Sequence, residues 1–133
     1  MKHFAVIGCP IKHSLSHILH KEIYNQLDIS ASYEKKEVPR NQLDKFVNTN
    51  TLNGFNVTLP HKQTILPFLK ALDDSAKVIG AVNCVYKGKG YNTDWIGFLE
   101  TINNYDLSIN NKNCIIIGAG GAARAIAYAL IKK

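Results

Sequence analysis

Four clusters in this 133-residue sequence hold the side chains and glycines best suited to chemistry. The clearest is Gly118-Ala119-Gly120-Gly121-Ala122-Ala123, which fits G-x-G-x-x-G/A, follows the apolar run Cys114-Ile115-Ile116-Ile117 and opens an alanine-rich stretch. A strand, a glycine turn and a helix in that order form a dinucleotide-binding signature. Gly118 permits the tight turn, Gly120 lets the backbone approach a pyrophosphate, and Ala123 allows close helix–strand packing. The helix N-terminus then faces the anion. The same string also serves as a plain strand-to-helix turn. The residue that would choose between NAD and NADP lies about 20 positions on, beyond Lys133.

The second cluster, Asn56-Val57-Thr58-Leu59-Pro60-His61-Lys62, places polar side chains at the C-terminal end of a short apolar run. Ligands bind at that end of the strands in open α/β sheets. Lys62 falls near the start of the next helix, whose positive end assists a lysine in exchanging a proton. A single lysine is otherwise an ordinary solvated charge. Asn92-Thr93-Asp94 also stands at a helix start, where Asp94 could serve only as an N-cap. His13-Ser14-Leu15-Ser16-His17 offers two hydroxyls that could hold a carboxylate or cap a helix. His13, His17 and His20 are spaced like metal ligands, but no cysteine or acidic residue joins them, and no metal site is expected. No G-x-S-x-G elbow supports a serine hydrolase.

The elements that must position these groups alternate. Phe4-Ala5-Val6-Ile7 reads as a buried strand ending at Gly8, and Ser16 can cap a helix over about 17–27 with Leu19, Ile23 and Leu27 on its apolar side. A strand over 33–38, a helix from Arg40 or Asn41 and a strand over 54–58 follow. The stretch 61–69 is helical until Pro67 breaks it. A helix over 73–79, a strand over 81–86, a glycine turn at 87–90 and a helix from Asp94 carrying Trp95, Phe98, Leu99 and Ile102 complete the first unit. The asparagine-rich stretch 103–113 reads as a linker, placing a substrate-type domain at 1–104 and the start of a second unit at 105–133. The alternation predicts an α/β fold with a mostly parallel sheet and flanking helices, then the first strand and helix of a Rossmann-type domain. Ile126, Leu130 and Ile131 of that last helix lack an obvious partner.

Composition narrows the classes. With 46% hydrophobic and 20% charged residues the chain is globular, and no apolar run approaches the length needed to span a bilayer. The apolar run near Met1 is too short for a secretory signal, so a cytoplasmic location is expected. The net charge of +6 is spread evenly, with eight basic and five acidic residues in each of 1–66 and 67–133, and Arg40 and Arg124 are the only arginines. That pattern suits small anionic ligands rather than nucleic acid. Cys9, Cys84 and Cys114 each sit in or beside an apolar stretch, without CxxC spacing, and read as buried thiols in a reducing compartment.

HSLS at 13–16, NVTLPHK at 56–62, GAVN at 80–83, NTDWIGF at 92–98 and GAGGAARA at 118–125 occur in the order and spacing of one family. With these motifs the sequence resembles the shikimate dehydrogenases, over their substrate domain and the opening of their NADP domain. The resemblance implies NADP-dependent, reversible reduction of 3-dehydroshikimate to shikimate in aromatic amino-acid biosynthesis. It implies a catalytic dyad of Lys62 and Asp94 at the alcohol, with Asp94 also touching substrate. Ser14 and Ser16 match the pair holding the substrate carboxylate, and Asn56, Thr58 and Asn83 match groups on the carboxylate and ring hydroxyls. Gly118, Ala119, Gly120, Gly121 and Ala122 match the cofactor loop, and Asp74 matches an acidic residue that approaches the cofactor in some members. A cationic Lys62 suits proton delivery to the forming alkoxide, and Asp94 suits orienting it. His17 stands where the family commonly has proline, and Cys84 where threonine is commoner. The expected partner is a small-molecule substrate, without nucleic acid or membrane, in a monomer or homodimer. The 133 residues alone are not expected to turn over. The alternatives are a non-catalytic unit that holds shikimate-like carboxylates and a divergent quinate/shikimate dehydrogenase.

Overall fold

A computed structural model describes all residues, 1–133. The first strand, β1 (Lys2–Gly8), lies inside the sheet, with Ala5, Val6 and Ile7 all buried. A run apolar on both faces suits an interior parallel strand. β1 lies between β2 (Ala31–Glu37) and β3 (Gly54–Val57) and is parallel to both. The sheet continues with β5 (Cys84–Tyr86) antiparallel to β3, β6 (Lys89–Tyr91) antiparallel to β5, and β4 (Ala71–Leu72) parallel to β6. The order is β2-β1-β3-β5-β6-β4, an α/β sheet with mostly parallel pairing. The helices are α1 (Ser16–Gln26), α2 (Leu43–Thr49), α3 (His61–Thr64), α4 (Asp74–Ile79), α5 (Asp94–Asn104) and α6 (Gly121–Lys132). None is long and apolar enough to cross a membrane.

The main core joins Ile7, Leu43, Phe55, Val57, Ile65 and Val82, with other small and branched residues around them. Pro67 ends α3 as expected, and the chain continues as a short 3-10 turn over Leu66–Phe68. Asp73 caps α4, its carboxylate accepting from the N–H groups of Ser75 (3.2 Å) and Ala76 (3.0 Å) and the Ser75 hydroxyl (2.7 Å). Burial alone would raise its pKa, but these bonds and one from the Asn92 backbone outweigh it and hold the carboxyl below its ordinary value. Asp73→Ala should therefore lower stability by about 1 kcal/mol at neutral pH. Because the folded carboxyl titrates lower than the unfolded one, the difference is present above the unfolded pKa. It vanishes as pH falls through the folded one. Melting curves of both proteins from neutral pH down to about pH 2 check this convergence.

Several expectations need correction. Ser16 is the first residue of α1 rather than its cap, Leu15 holds the cap position, and no side chain caps the helix. The Ser14 hydroxyl accepts from Ser16 N–H at 3.4 Å instead. Leu19, Ile23 and Leu27 are exposed, and α1 has no buried residue. Its contacts with the sheet run through Tyr24 against Phe4 and His20 against Tyr33. The strand expected over 81–86 begins only at Cys84, because Val82 N–H donates to the Lys62 carbonyl (2.7 Å) rather than to a ladder.

The strand expected at 114–117 does not form. Ile115 is 90% and Ile117 97% exposed. A strand needs a neighbouring ladder, and none of the six strands pairs with this segment. Cys114 is exposed and Cys9 and Cys84 are half-buried, so none is the fully buried thiol expected. The helix that follows does form, and it docks through small residues: Gly121, Ala125 and Ala129 are buried on one face. Ala125 joins Ile79 and Ala81, and Tyr128 meets Trp95 edge-on at 5.2 Å. Ile131 stays exposed.

Candidate active site

Two of the polar clusters stand at the carboxyl ends of the neighbouring parallel strands β1 and β3. Ser14 and Ser16 follow β1, half-buried, with their hydroxyls 3.2 Å apart. Asn56 lies in β3, and its Nδ2 donates to the Asn83 carbonyl at 3.2 Å. Asn83 is also tied to the sheet, since its carbonyl accepts from Val57 N–H (2.9 Å) and its N–H donates to the Tyr91 carbonyl (3.0 Å). Pairing of β3 with β5 thus brings together two asparagines 27 positions apart.

The Asn83 amide reaches onward to α5. Its Nδ2 donates to Asp94 Oδ1 (2.8 Å) and Thr93 Oγ1 (2.9 Å), and its Oδ1 accepts from Thr93 N–H (2.8 Å). Lys62 Nζ donates to the other oxygen of Asp94, Oδ2, at 2.7 Å. The pair is sheltered but reachable, with side chains 19% and 30% exposed for Lys62 and Asp94. Asp94 is therefore more than an N-cap: both its carboxylate oxygens are held by side chains of other segments. Asn92 supports the start of α5, its Oδ1 accepting Asp94 N–H (3.1 Å) while its Nδ2 donates to the Ala81 carbonyl (2.9 Å). Asn92 is buried, and its positioning part is one that the sequence reading does not assign.

Lys62 is fixed from three sides. His61 beside it is fully buried, and its Nε2 sits 2.6 Å from the Val38 carbonyl, so that nitrogen must carry the proton. The Lys62 carbonyl accepts from Val82 N–H. The third side is Gly121 at the start of α6, where a Cβ would stand 2.8 Å from Lys62 Cβ and 3.2 Å from Ala81 Cβ. The helix carrying Lys62 is a single turn. Its dipole is correspondingly small, and the nearby Asp94 carboxylate is the dominant field on the ammonium.

A cleft of about 720 Å³ separates Thr58 and Lys62 from the glycine turn, with Gly118, Gly120, Gly121 and Ala122 among its lining residues. Gly118 has φ +129°, a conformation that favours glycine. A Cβ on Gly120 would meet nothing within 4 Å, so the turn leaves open space on the cleft side. The leading N–H groups of α6 have no intrahelical acceptor and can receive an anion. These features fit the pyrophosphate of a dinucleotide. Ala119 does not line the cleft. Asp74 is absent from it too: its side chain is 99% exposed on α4, paired with Lys77 at 3.0 Å. No set of three or more His, Cys, Asp or Glu side chains is arranged to hold a metal ion.

Comparison with known proteins places the chain among named relatives. The family model for the shikimate dehydrogenase substrate binding domain matches residues 6–85. A shikimate dehydrogenase (NADP(+)) of Nitrosopumilus maritimus is 42% identical over 139 residues, covering 99% of this chain and 51% of the relative. One from Thermotoga maritima is 37% identical over 131 residues, covering 97% and 50%. The chain spans about half the length of the curated relatives it matches. Among solved structures, shikimate dehydrogenase 1 from Peptoclostridium difficile superimposes with a TM-score of 0.95 at 30% identity, covering 99% of this chain and 53% of that one. The Thermus thermophilus shikimate 5-dehydrogenase, in complex with NADP(H) and shikimate, gives 0.87 at 36% identity, covering 99% and 52%. With a family model matching more than half its residues, the chain belongs to the shikimate dehydrogenase family through the substrate-binding domain.

Proposed function

We propose that this chain supplies the substrate-binding half, residues 1–104, and the opening of the cofactor half, residues 105–133, of an NADP-dependent shikimate dehydrogenase. The observation that carries the reading is the Lys62–Asp94 pair at 2.7 Å, whose Lys62 lines one cleft with the glycine turn. Ser14 and Ser16 present adjacent hydroxyls to the substrate carboxylate. Asn56 and Thr58 present polar groups to the carboxylate and ring hydroxyls. Asn83 holds Asp94 and Thr93, and reaches the substrate when its Thr93 bond is exchanged for one to a ring hydroxyl. Asp94 touches the reacting alcohol beside Lys62. Gly118, Gly120, Gly121 and Ala122 would hold the dinucleotide phosphates, with Ala119 completing the turn. When bound, NADPH supplies the hydride.

Lys62 then delivers a proton from Nζ to the oxygen that becomes the alcohol, and its positive charge stabilises that oxygen as negative charge develops. Asp94 keeps the ammonium aimed, with Asn83 fixing the carboxylate in turn. In oxidation of the alcohol the proton returns along the same path. The three free cysteines support a reducing, cytoplasmic setting.

Shikimate should bind this chain, and Ser14→Ala with Ser16→Ala together should weaken it at least about tenfold, since each hydrogen bond to a charged group contributes about 1.5–3 kcal/mol. Calorimetric or NMR titration checks this, and unchanged affinity in the double variant would count against the carboxylate assignment. The unpaired segment 114–117 favours a second reading of the isolated chain as a unit that binds without turnover. Cofactor-dependent absorbance change on mixing the chain with shikimate and NADP contradicts that second reading.

A further inference from the structure

Tyr33 and His20 lie outside the pocket motifs, yet they connect its two ends. Tyr33 on β2 donates its phenol O–H to Asn56 Oδ1 at 2.7 Å. Its ring stacks on His20, with centroids 3.9 Å apart and planes 10° from parallel. His20 Nδ1 lies 2.8 Å from the Ser16 carbonyl, which can only accept, so Nδ1 carries a proton. Tyr33 is thus braced by α1, on the segment that also carries the two serines.

The consequence falls on Asn56. Its Nδ2 donates to the Asn83 carbonyl, and its Oδ1 accepts from Tyr33. Turned over, its carbonyl would face the Asn83 carbonyl with no proton between them. Burial pushes the Tyr33 phenol well up, and Tyr24 and Cys84 push it further, so the phenol remains a donor across the physiological range. One N–H of Asn56 is left for a ligand, while its oxygen is already engaged.

We propose that Tyr33 is a positioning residue, fixing Asn56 as a hydrogen-bond donor so that the pocket selects an acceptor oxygen, from a carboxylate or a ring hydroxyl, at that point. This rests on the reading of the pocket as a site for a hydroxylated ring carboxylate. It extends that reading to a residue that would not touch the ligand. A buried donor rejects ligands lacking the matching acceptor, which gives the arrangement its value in specificity.

The test combines a double-variant cycle with a measurement that needs no ligand. Shikimate is titrated into the wild-type chain, Tyr33→Phe, Asn56→Ala and the combined variant. Phenylalanine keeps the ring and removes only the hydroxyl. Tyr33→Phe should weaken shikimate about tenfold, but less than about twofold when Asn56 is already alanine, because the two act as one unit. In ligand-free 15N spectra, Tyr33→Phe should shift the side-chain NH2 pair of Asn56 and leave that of Asn83 in place. An equal loss in both backgrounds overturns the proposal, as does an unmoved Asn56 pair. Failure of the wild-type chain to bind shikimate would remove the functional reading, and the ligand-free spectra would still decide the part played by Tyr33.

Discussion

Lys62→Ala should reduce NADPH-dependent conversion of 3-dehydroshikimate at least ~10²-fold, the usual contribution of a positioned acid–base group. The measurement requires a protein that carries this chain together with a cofactor-binding half. The loss should appear in turnover far more than in shikimate affinity, because Ser14, Ser16 and Asn56 remain to hold the rest of the ring. Two effects combine in it. The proton donor at 2.7 Å from Asp94 is gone, and the Asp94 carboxylate is left facing the reacting oxygen without its cation. A negative group at that position opposes a developing alkoxide, so Lys62→Ala should be more damaging than Asp94→Asn, which keeps the ammonium and an oxygen to orient it. Turnover within about threefold of wild type in Lys62→Ala would sink the acid–base assignment.

The second large effect is expected from Gly121→Val. Even a methyl group there would stand 2.8 Å from Lys62 Cβ, 3.1 Å from Lys62 Cδ and 3.2 Å from Ala81 Cβ, and a branched side chain is worse. Ala81 lies in a buried cluster and cannot withdraw, so α6 must move out or Lys62 must move away from Asp94. Overpacking of this kind costs about 1–3 kcal/mol where the structure gives way. Both routes of relief damage function, since one misplaces the glycine turn and the other the proton donor. Turnover should fall ~10²-fold or more, as reacting groups displaced by about 1 Å lose that much. Gly121→Ala should lie between this variant and wild type. A Gly121→Val protein with wild-type melting temperature and turnover would show that the close approach has no such role.

Much of the site is legible in sequence because its chemistry is carried by short contiguous motifs. Lys62, Asp94 and the serine pair each sit in a string whose residue types announce a polar cluster at an element's end, whereas Asn83, in an apolar string, is implied by resemblance alone. That Asp94 and Lys62 touch was implied by resemblance alone. What brings them together is the set of backbone bonds from 81–83 to Lys62, Val57 and Tyr91, which no local pattern encodes. The contact of Tyr33 with His20 is illegible for the same reason: an aromatic on an edge strand looks like ordinary packing, and His20 draws notice only for its spacing from His13 and His17. β4 and β6, at two and three residues, are too short to show an alternation. The opposite error occurred at 114–117, where a strongly strand-like run forms no strand. Apolar content marks a segment as wanting a neighbour, and the neighbour must come from elsewhere in the fold. Asp74 lies exposed on α4 in an ion pair with Lys77, outside the cleft that Lys62 and the glycine turn line.

The position of β1 between β2 and β3 also dictates the order in which the chain can fold. Lys2 pairs with Ala31, and Phe4 with Gly54, so this interior strand is synthesised before both its partners and draws its ladders from sequence far downstream. Loop closure must precede any reward from those contacts, which raises contact order and slows folding relative to helical bundles of similar size. As the chain leaves the ribosome, β1 emerges as an apolar segment with both edges bare, one until β2 has followed and the other until β3. Such exposed edges invite pairing with other chains. The same strand that lies beneath the finished pocket is thus open to mispairing during synthesis.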